Sequence, residues 1–564
     1  MSSRRQFIEQ TAMAAVGLSL PAPRLTDPET PRGLAPRGFL DLRRPPDSVS
    51  VQTATGELRL ARESNGRWTN GGSIVTTTEH SDALNVSLAA PAIAVKRVHL
   101  RWRGRMTDAR LILGDAWERG YGDLEWRSWV PDRVMPWYVA THDGSLTHAY
   151  GVRTGARAFC FWQLDPEGVS LWADVRSGGS GVQLGSRVLD VCDVVSRAGR
   201  TGETSFAAVH LFCRQMCRNP RIPLHPIYGS NDWYWAYGNN SAKSILIDTQ
   251  HIVELSTSEE NRPFSVIDDG WQPERSADKQ GVGTWDHGNE KFGDMANVAA
   301  EIRRAGARAG IWIRPLQSAK DTPDSWRLPR DKAYLDPTIP DVLKKVGDDI
   351  ARLRQWGYDL IKHDYTTFDL FGRWGFQMGA AMTRDGWTFA AGPTRTTAEI
   401  VSELYGTIRQ AAGDSVVIGC NTVSHLSAGH FEICRVGDDT SGTEWARTRK
   451  MGVNTLAFRG VQHGAFYVAD ADCVGVTNAI PWSQNRQWLD LLARSGTMLF
   501  VSLAPDALGA EQRRDLKVAL ALAAAPHPLA EPLDWQTTVY PSRWKMMGHE
   551  RTFDWIGDEG VGPP

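Results

Sequence analysis

No apolar run in this chain reaches the ~18–20 residues that a membrane-spanning helix needs, so no membrane span is expected. Neither sign of charge is in excess: Lys+Arg 63 stand against Asp+Glu 65, a formal net charge of −2. That balance offers no electrostatic footprint for nucleic acid or an anionic surface. His-x-His and His-Glu-x-x-His pairs are missing, which removes the usual sequence signs of a catalytic metal, and no motif implies a cofactor. Cysteine is sparse. The seven residues at 160, 192, 213, 217, 420, 434 and 473 are too scattered for a zinc ribbon or a disulfide framework. Cys213 and Cys217, at helical spacing, read as buried thiols, and an odd number leaves at least one thiol unpaired within the chain.

What the chain does have is length, core material and tryptophan. Its 564 residues exceed one ordinary domain, and 41% hydrophobic with 23% charged residues describe a globular protein with ample cores. The 23 tryptophans are an excess. Most read as core, with some expected where a flat aromatic face meets the apolar C–H face of a sugar. Ser3-Arg4-Arg5-Gln6-Phe7-Ile8, a mild apolar stretch over 11–20 and Pro21-Ala22-Pro23 read as a twin-arginine export signal over 1–23, which predicts a periplasmic or extracellular protein.

From about 24 to 221 the texture is strand-like. Val98-His99-Leu100-Arg101-Trp102-Arg103 and Val169-Ser170-Leu171-Trp172-Ala173-Asp174-Val175 alternate as half-buried antiparallel strands do. Turn clusters such as Ser64-Asn65-Gly66 and 177–181 separate such strands, and a β-sandwich with little helix is expected. The segment 114–126, dense in glycine, charge and aromatics, reads as an ordered loop leaning over a neighbouring pocket.

From 222 to 525 short apolar strands alternate with amphipathic helices, the pattern of βα units. Strands are expected at 227–233, 264–269, 309–313, 358–364, 416–421, 433–439, 466–470 and 498–503. Helices are expected at 295–305, 342–356, 397–411, 444–458, 484–495 and 511–524, with a weak or missing helix between the fifth and sixth strands. The fold class is therefore α/β, a (β/α)8 TIM barrel preceded by an N-terminal β-sandwich. The stretch 526–564, with Trp535, Trp544 and Trp555, is too short for a domain and reads as a C-terminal β appendage.

Barrel chemistry sits at the C-terminal ends of strands. Here those ends read Asp268-Asp269-Gly270-Trp271, Trp312-Ile313-Arg314-Pro315, Lys362-His363-Asp364, Gly419-Cys420-Asn421, Arg435-Val436-Gly437-Asp438-Asp439 and Asp470-Ala471-Asp472-Cys473. Each cluster alone is commonplace as a turn or surface charge; six at successive strand ends are not. Clustered carboxylates also suit a divalent metal, but no histidine pair accompanies them. A retaining glycosidase needs an ionised carboxylate and a protonated one about 5–5.5 Å apart. Lys362, two residues before Asp364, is expected to share its side of the strand and keep it ionised, and neighbouring carboxylates are expected to raise the pKa of Asp439.

These motifs together resemble the α-galactosidases of glycoside hydrolase family 36, and the resemblance runs from about residue 40 nearly to the end. Asn231-Asp232-Trp233 and the 114–126 segment share the pattern. The resemblance implies that Asp364 is the nucleophile and Asp439 the acid/base, although Asp438, where the family often has proline, competes for that role. It implies that Asp268 and Asp269 bind the sugar's O4 and O6 hydroxyls, and that Trp233, Trp312, Lys362, Cys420 and Arg435 line the substrate pocket. Arg314 departs from the family's usual Glu, which points to a different outer pocket, and the aromatic-rich loop 365–396 is expected to shape the leaving-group site. The expected function is a retaining exo-acting α-glycosidase, foremost an α-galactosidase, acting on an oligosaccharide or glycoside without a metal or other cofactor. A related α-glycosidase for another sugar, a raffinose-synthase-like transglycosylase and a non-catalytic carbohydrate-binding protein remain open, as do the sugar, the aglycone and the oligomeric state.

Overall fold

The computed structural model describes residues 38–63, 66–273 and 284–556. The twin-arginine leader expected over 1–23, the turn residues Ser64 and Asn65 and the residues from 557 onward lie outside that range.

Thirteen antiparallel strands between Ser48–Thr53 and Val188–Arg197 form one hydrogen-bonded order. The alternating segments become Arg97–Arg103 and Gly168–Asp174, paired so that Val98, Leu100 and Trp102 oppose Ala173, Leu171 and Val169. All six are fully buried, as a period of two requires when one face lies on the core. At one point the order hangs on two residue pairs only, Ala61↔Thr69 and Arg62↔Trp68. Six strands lie to one side of that join and seven to the other, an arrangement that fits a two-layer sandwich. The helix Ser205–Met216 follows, with Cys213 and Cys217 buried at its C-terminal end as free thiols.

The second sheet is parallel throughout. Strands Tyr228–Asn231, Phe264–Ile267, Arg308–Ile313, Leu360–His363, Val416–Gly419, Ile433–Arg435 and Val468–Asp470 pair in succession. Leu499–Leu503 pairs with the first of them and with Val474–Val476. The two edge segments, Val468–Asp470 and Val474–Val476, are therefore consecutive in sequence, so the sheet curls until its edges meet, as in a TIM barrel. The expected seventh strand is real but split by Ala471-Asp472-Cys473. Asp472 there has φ of 77°, where a strand cannot continue.

Helices recur between the strands. Met295–Ala305 is capped by the Asp294 carboxylate, which accepts the N–H groups of Ala296 and Asn297, a cap worth about 1 kcal/mol. Pro340–Gln355 buries Val342, Val346, Ile350 and Leu353 in one stripe. Between Val416–Gly419 and Ile433–Arg435 only the single turn Ser424–Ser427 forms. The run expected at 444–458 is divided into Trp445–Thr448, a π-helical turn Arg449–Val453 and Asn454–Arg459. The helix Ala242–Leu255 fills the connection between the first two strands, although Lys243, Ser244, Asp248, Thr249, Gln250 and His251 dilute its apolar stripe.

Three short strands, Glu531–Pro532, Arg543–Met546 and His549–Thr552, form the C-terminal β segment. The indoles of Trp544 and Trp555 both donate to the Pro541 carbonyl at 2.7 Å, and that of Trp535 donates to Ser205 at 3.0 Å. All three are buried and fasten the segment. Among the described residues no helix is long and apolar enough to cross a membrane.

Candidate active site

Strand alternation builds the Asp364 side of the site. In Leu360–His363 successive side chains point to opposite faces. His363 turns outward onto Phe431, with ring centroids 4.8 Å apart, while Lys362 turns inward. Burial without a charged partner holds His363 neutral, its pKa lowered to about 3. Asp364 follows the strand and its N–H donates to the Ile313 carbonyl at 2.9 Å. Its Oδ1 accepts the Tyr365 N–H at 2.7 Å and its Oδ2 the Trp312 indole N–H at 3.2 Å. The two donors, one on each oxygen, fix the orientation of the carboxyl group.

Lys362 makes its direct ion pair with Asp268, while the charge of Asp364 also acts on it at longer range. Its Nζ lies 2.7 Å from Asp268 Oδ2, on a strand 94 positions away in sequence. Burial alone would lower the lysine pKa; the negative groups facing it, Asp268 foremost and Asp364 among them, together outweigh burial and hold the ammonium well above its ordinary value. Asp268 also accepts from Asn231 Nδ2 at 2.7 Å and from the Asp269 N–H at 2.9 Å. Next to it Asp232 is pushed up to about 7, by burial first and then by the charge of Asp268. Asp269 is partly exposed and accepts from Gln272 at 2.6 Å. Trp233 stands above the first strand, its ring 5.6 Å from that of Tyr237, and its N–H is held by Asn231 Oδ1 at 3.1 Å.

The Asp439 side is organised by arginines. Arg435 is buried and donates to Asp439 Oδ1 at 3.1 Å, to Tyr234 Oη at 3.1 Å and to Cys420 Sγ at 3.7 Å, with Asp472 Oδ2 at 2.6 Å. Burial and the charge of Asp364 push the Cys420 thiol up, so it stays protonated. Asp472, which the sequence reading quoted without a role, is the anchor of this corner. It also accepts the Thr440 N–H at 2.7 Å and the Tyr234 hydroxyl.

Asp438 and Asp439 differ in their engagement. Asp438 is clamped: Arg119 reaches its Oδ1 at 2.6 Å and Arg447 its Oδ2 at 2.9 Å, and its side chain is 15% exposed. Asp439 is 39% exposed, and among the described residues its Oδ2 accepts no hydrogen bond. Its pKa is not raised by carboxylate neighbours as expected. Burial does push it up, but Arg435, Arg119 (3.6 Å away) and Lys362 outweigh burial and hold it below its ordinary value.

Arg119 belongs to the segment 114–126, which does lean over the strand ends. The Gly120 N–H donates to the Val436 carbonyl at 2.8 Å, and Gly120's carbonyl accepts the Asp438 N–H at 2.8 Å. Glu118, fully buried, accepts from Asn421 Nδ2 at 2.7 Å, from the Gly375 N–H at 2.8 Å and from the Tyr121 hydroxyl. Asp115 is paired with Arg459 at 2.9 Å. The sequence located this loop by texture but gave no partner for Arg119, which lies 320 positions before Asp439. Replacing Arg119 with Met removes a cation beside Asp439 and leaves Asp438 less neutralised. Both changes raise the Asp439 pKa, so the alkaline limb of kcat/KM is expected to move to higher pH; an unmoved or acid-shifted limb would contradict this electrostatic role.

Arg314 is buried and turned onto neighbouring side chains. Its guanidinium is committed to Asp369 at 2.7 Å and lies over the rings of Tyr365 and Tyr334. No group of His, Cys, Asp and Glu suited to a metal ion occurs among the described residues.

No family model matches the chain. Its fold superposes on the α-galactosidase of Thermus thermophilus, solved with p-nitrophenyl α-D-galactopyranoside, with a TM-score of 0.58 and 17% identity over 90% of this chain and 98% of that one. The family 36 α-galactosidase of Geobacillus stearothermophilus gives 0.55 at 15% identity, over 84% of this chain and 75% of that one. The chain has the fold of the family 36 α-galactosidases. A family 31 sulfoquinovosidase of E. rectale is similar too, at 0.56 and 11% identity over 92% and 88% of the two chains. That architecture accordingly serves more than one sugar.

In sequence this α-galactosidase-like chain matches the bifunctional α-galactosidase/sucrose kinase of Mediterraneibacter gnavus, 25% identical over 171 residues, which are 28% of this chain and 17% of the relative. It matches the α-galactosidase of Escherichia coli at 27% over 124 residues, 22% and 16% of the two. The aligned stretches thus span under a fifth of either curated relative, and both likenesses are to glycoside hydrolases.

Proposed function

We propose that this chain is a retaining, exo-acting α-glycosidase, an α-galactosidase that removes terminal α-galactose through a covalent glycosyl-aspartate. The observation that carries the reading is the contrast between two strand-end carboxylates. Asp364 is fixed in place by two donors, one on each oxygen; Asp439 is 39% exposed with one oxygen unengaged. In the first step Asp364 attacks C1 from the face opposite the leaving group while Asp439 gives its proton to the glycosidic oxygen. The C1–O bond breaks and a β-glycosyl-enzyme forms. In the second step Asp439, now ionised, takes a proton from water as that water attacks C1, releasing an α-sugar and free Asp364. The cations around Asp439 favour its ionised form, which suits the second step and places the first at acid pH.

Asp268 and Asp269 accept the sugar's O4 and O6 hydroxyls in this reading. A carboxylate has about four acceptor positions, and Asp268 has three engaged, by Asn231, Lys362 and the Asp269 N–H. Trp233 and Trp312 offer aromatic faces, and Lys362, Cys420 and Arg435 complete the wall. The complexes of Thermus thermophilus α-galactosidase with stachyose and of the Geobacillus stearothermophilus variant with raffinose favour an oligosaccharide substrate. Export by the twin-arginine route, to periplasm or medium, is part of the proposal and rests on Arg4-Arg5 and the residues that follow.

A matched panel of aryl α- and β-glycosides tests the reading. Hydrolysis confined to α-glycosides, with galactose preferred, is expected. Cleavage of β-glycosides alone, or of none, would overturn it.

A further inference from the structure

Tyr365, the residue after Asp364, sits at φ 63° and ψ 0°, in the left-handed region that a side chain with a Cβ rarely adopts. Its N–H is the 2.7 Å donor to Asp364 Oδ1. The unusual backbone conformation and the aim of the proposed nucleophile are therefore one feature, and something must hold it.

The holding groups come from the neighbouring strand and the following helix. Arg314 places its guanidinium carbon 4.1 Å from the Tyr365 ring centroid and 5.4 Å from that of Tyr334. Its Nε and Nη2 donate to Asp369 Oδ2 and Oδ1 at 3.1 and 2.7 Å. Asp369, in the short helix Thr366–Phe371, donates its own N–H to the Tyr365 carbonyl at 2.8 Å. Trp374 closes in from another direction, 5.7 Å from the Tyr365 ring. Tyr365 is thus gripped by its ring and by its backbone, and the two grips are joined through one buried ion pair.

We propose that Arg314 and Asp369 are a positioning pair that keeps Tyr365 left-handed and so aims its N–H at the Asp364 carboxylate. The pair acts through Tyr365 and touches no substrate. This rests on the reading of Asp364 as nucleophile. It also accounts for an arginine before Pro315: the planar, bidentate and stacking guanidinium does three things there that a lysine cannot.

A buried ion pair that merely stabilises the fold is the competing explanation, and a double-mutant cycle separates the two. Arg314→Met combined with Asp369→Asn removes the pair without stranding a buried charge. In the otherwise unchanged chain, kcat on an activated aryl α-galactoside is expected to fall roughly 100-fold, the scale of a small misplacement of a reacting group, with KM within about threefold. In a Tyr365→Gly background the same double change is expected to alter kcat by less than about threefold, because glycine takes positive φ without a Cβ penalty. Equal losses in both backgrounds would overturn the proposal. Crystal structures supply a readout independent of activity: Tyr365 is expected to leave positive φ in the Met/Asn variant, and a retained φ near 63° would equally overturn it. If the charge-neutral variant does not fold, Arg314→Lys takes its place, expected to keep the charge and the melting temperature yet still lower kcat; wild-type kcat in that variant would count against the proposal. Should the unmodified protein cleave no α-galactoside, the function proposed above fails, while the crystallographic result still decides this one.

Discussion

Asp364→Asn is expected to abolish turnover of every glycoside the protein cleaves, by on the order of 10⁴- to 10⁶-fold, the scale on which losing a covalent nucleophile acts. The replacement is isosteric, and its carbonyl oxygen still accepts the Tyr365 N–H. The Trp312 indole, 3.2 Å away, then meets an amide donor, a local conflict of about 1 kcal/mol. The melting temperature should therefore stay close to that of the unmodified protein, separating lost chemistry from lost fold. Asp364→Gly with added azide should yield β-galactosyl azide, since the anion enters from the face the carboxylate vacated. Near-normal turnover by Asp364→Asn would remove the residue from the mechanism.

Asp439→Ala is expected to lower kcat/KM on poor leaving groups by about 10²- to 10⁴-fold, the contribution of general acid catalysis. Substrates with strongly activated aryl leaving groups, which need no proton, should lose far less. The variant should fold, because both arginines keep a partner: Arg435 remains 2.6 Å from Asp472 and Arg119 remains 2.6 Å from Asp438. Azide added to this variant should intercept the β-glycosyl-enzyme and give α-galactosyl azide. Asp438→Ala is the control. It removes the nearer carboxylate of Arg119 and the partner of Arg447 and should destabilise the protein without producing that azide; the opposite pattern would transfer the acid role to Asp438.

The strand-end carboxylates were legible in the sequence because a four-residue parallel strand is a simple signal. Leu360–His363 is fully buried, so its apolar run and the charged residues that end it stand out together. Lys362 and Asp364 share a face by alternation alone. The partner of Lys362 was not legible, since Asp268 is supplied by another strand and pairing across a parallel sheet leaves no mark in either segment. The same holds for Arg119. The local texture of 114–126 announces an ordered loop, but its grip on Asp438 and Asp439 depends on how the antiparallel strands pack on the barrel. The direction of the Asp439 pKa followed from that omission: without Arg119 and with Arg435 counted only as a pocket residue, the visible neighbours were carboxylates. The split seventh strand was hidden for a different reason. Asp470-Ala471-Asp472-Cys473 reads as a strand end, and only the positive φ of Asp472 shows that the chain turns and pairs again.

Arg314 shows how a residue's neighbours can change the meaning of a substitution. Read along the chain, an arginine before Pro315 is a departure from the family's usual glutamate that points to a different outer pocket. Folded, it is held by Asp369 and lies over the rings of Tyr365 and Tyr334, beside the residue that follows Asp364.

The most direct test of the central claim, a double displacement at Asp364 on an α-galactoside, is the anomer released first. Proton NMR of an aryl α-galactoside hydrolysed by the full chain, recorded before mutarotation, should show α-galactose appearing first and the β-anomer growing in later. Initial release of β-galactose would mean a single displacement by water and would contradict the account.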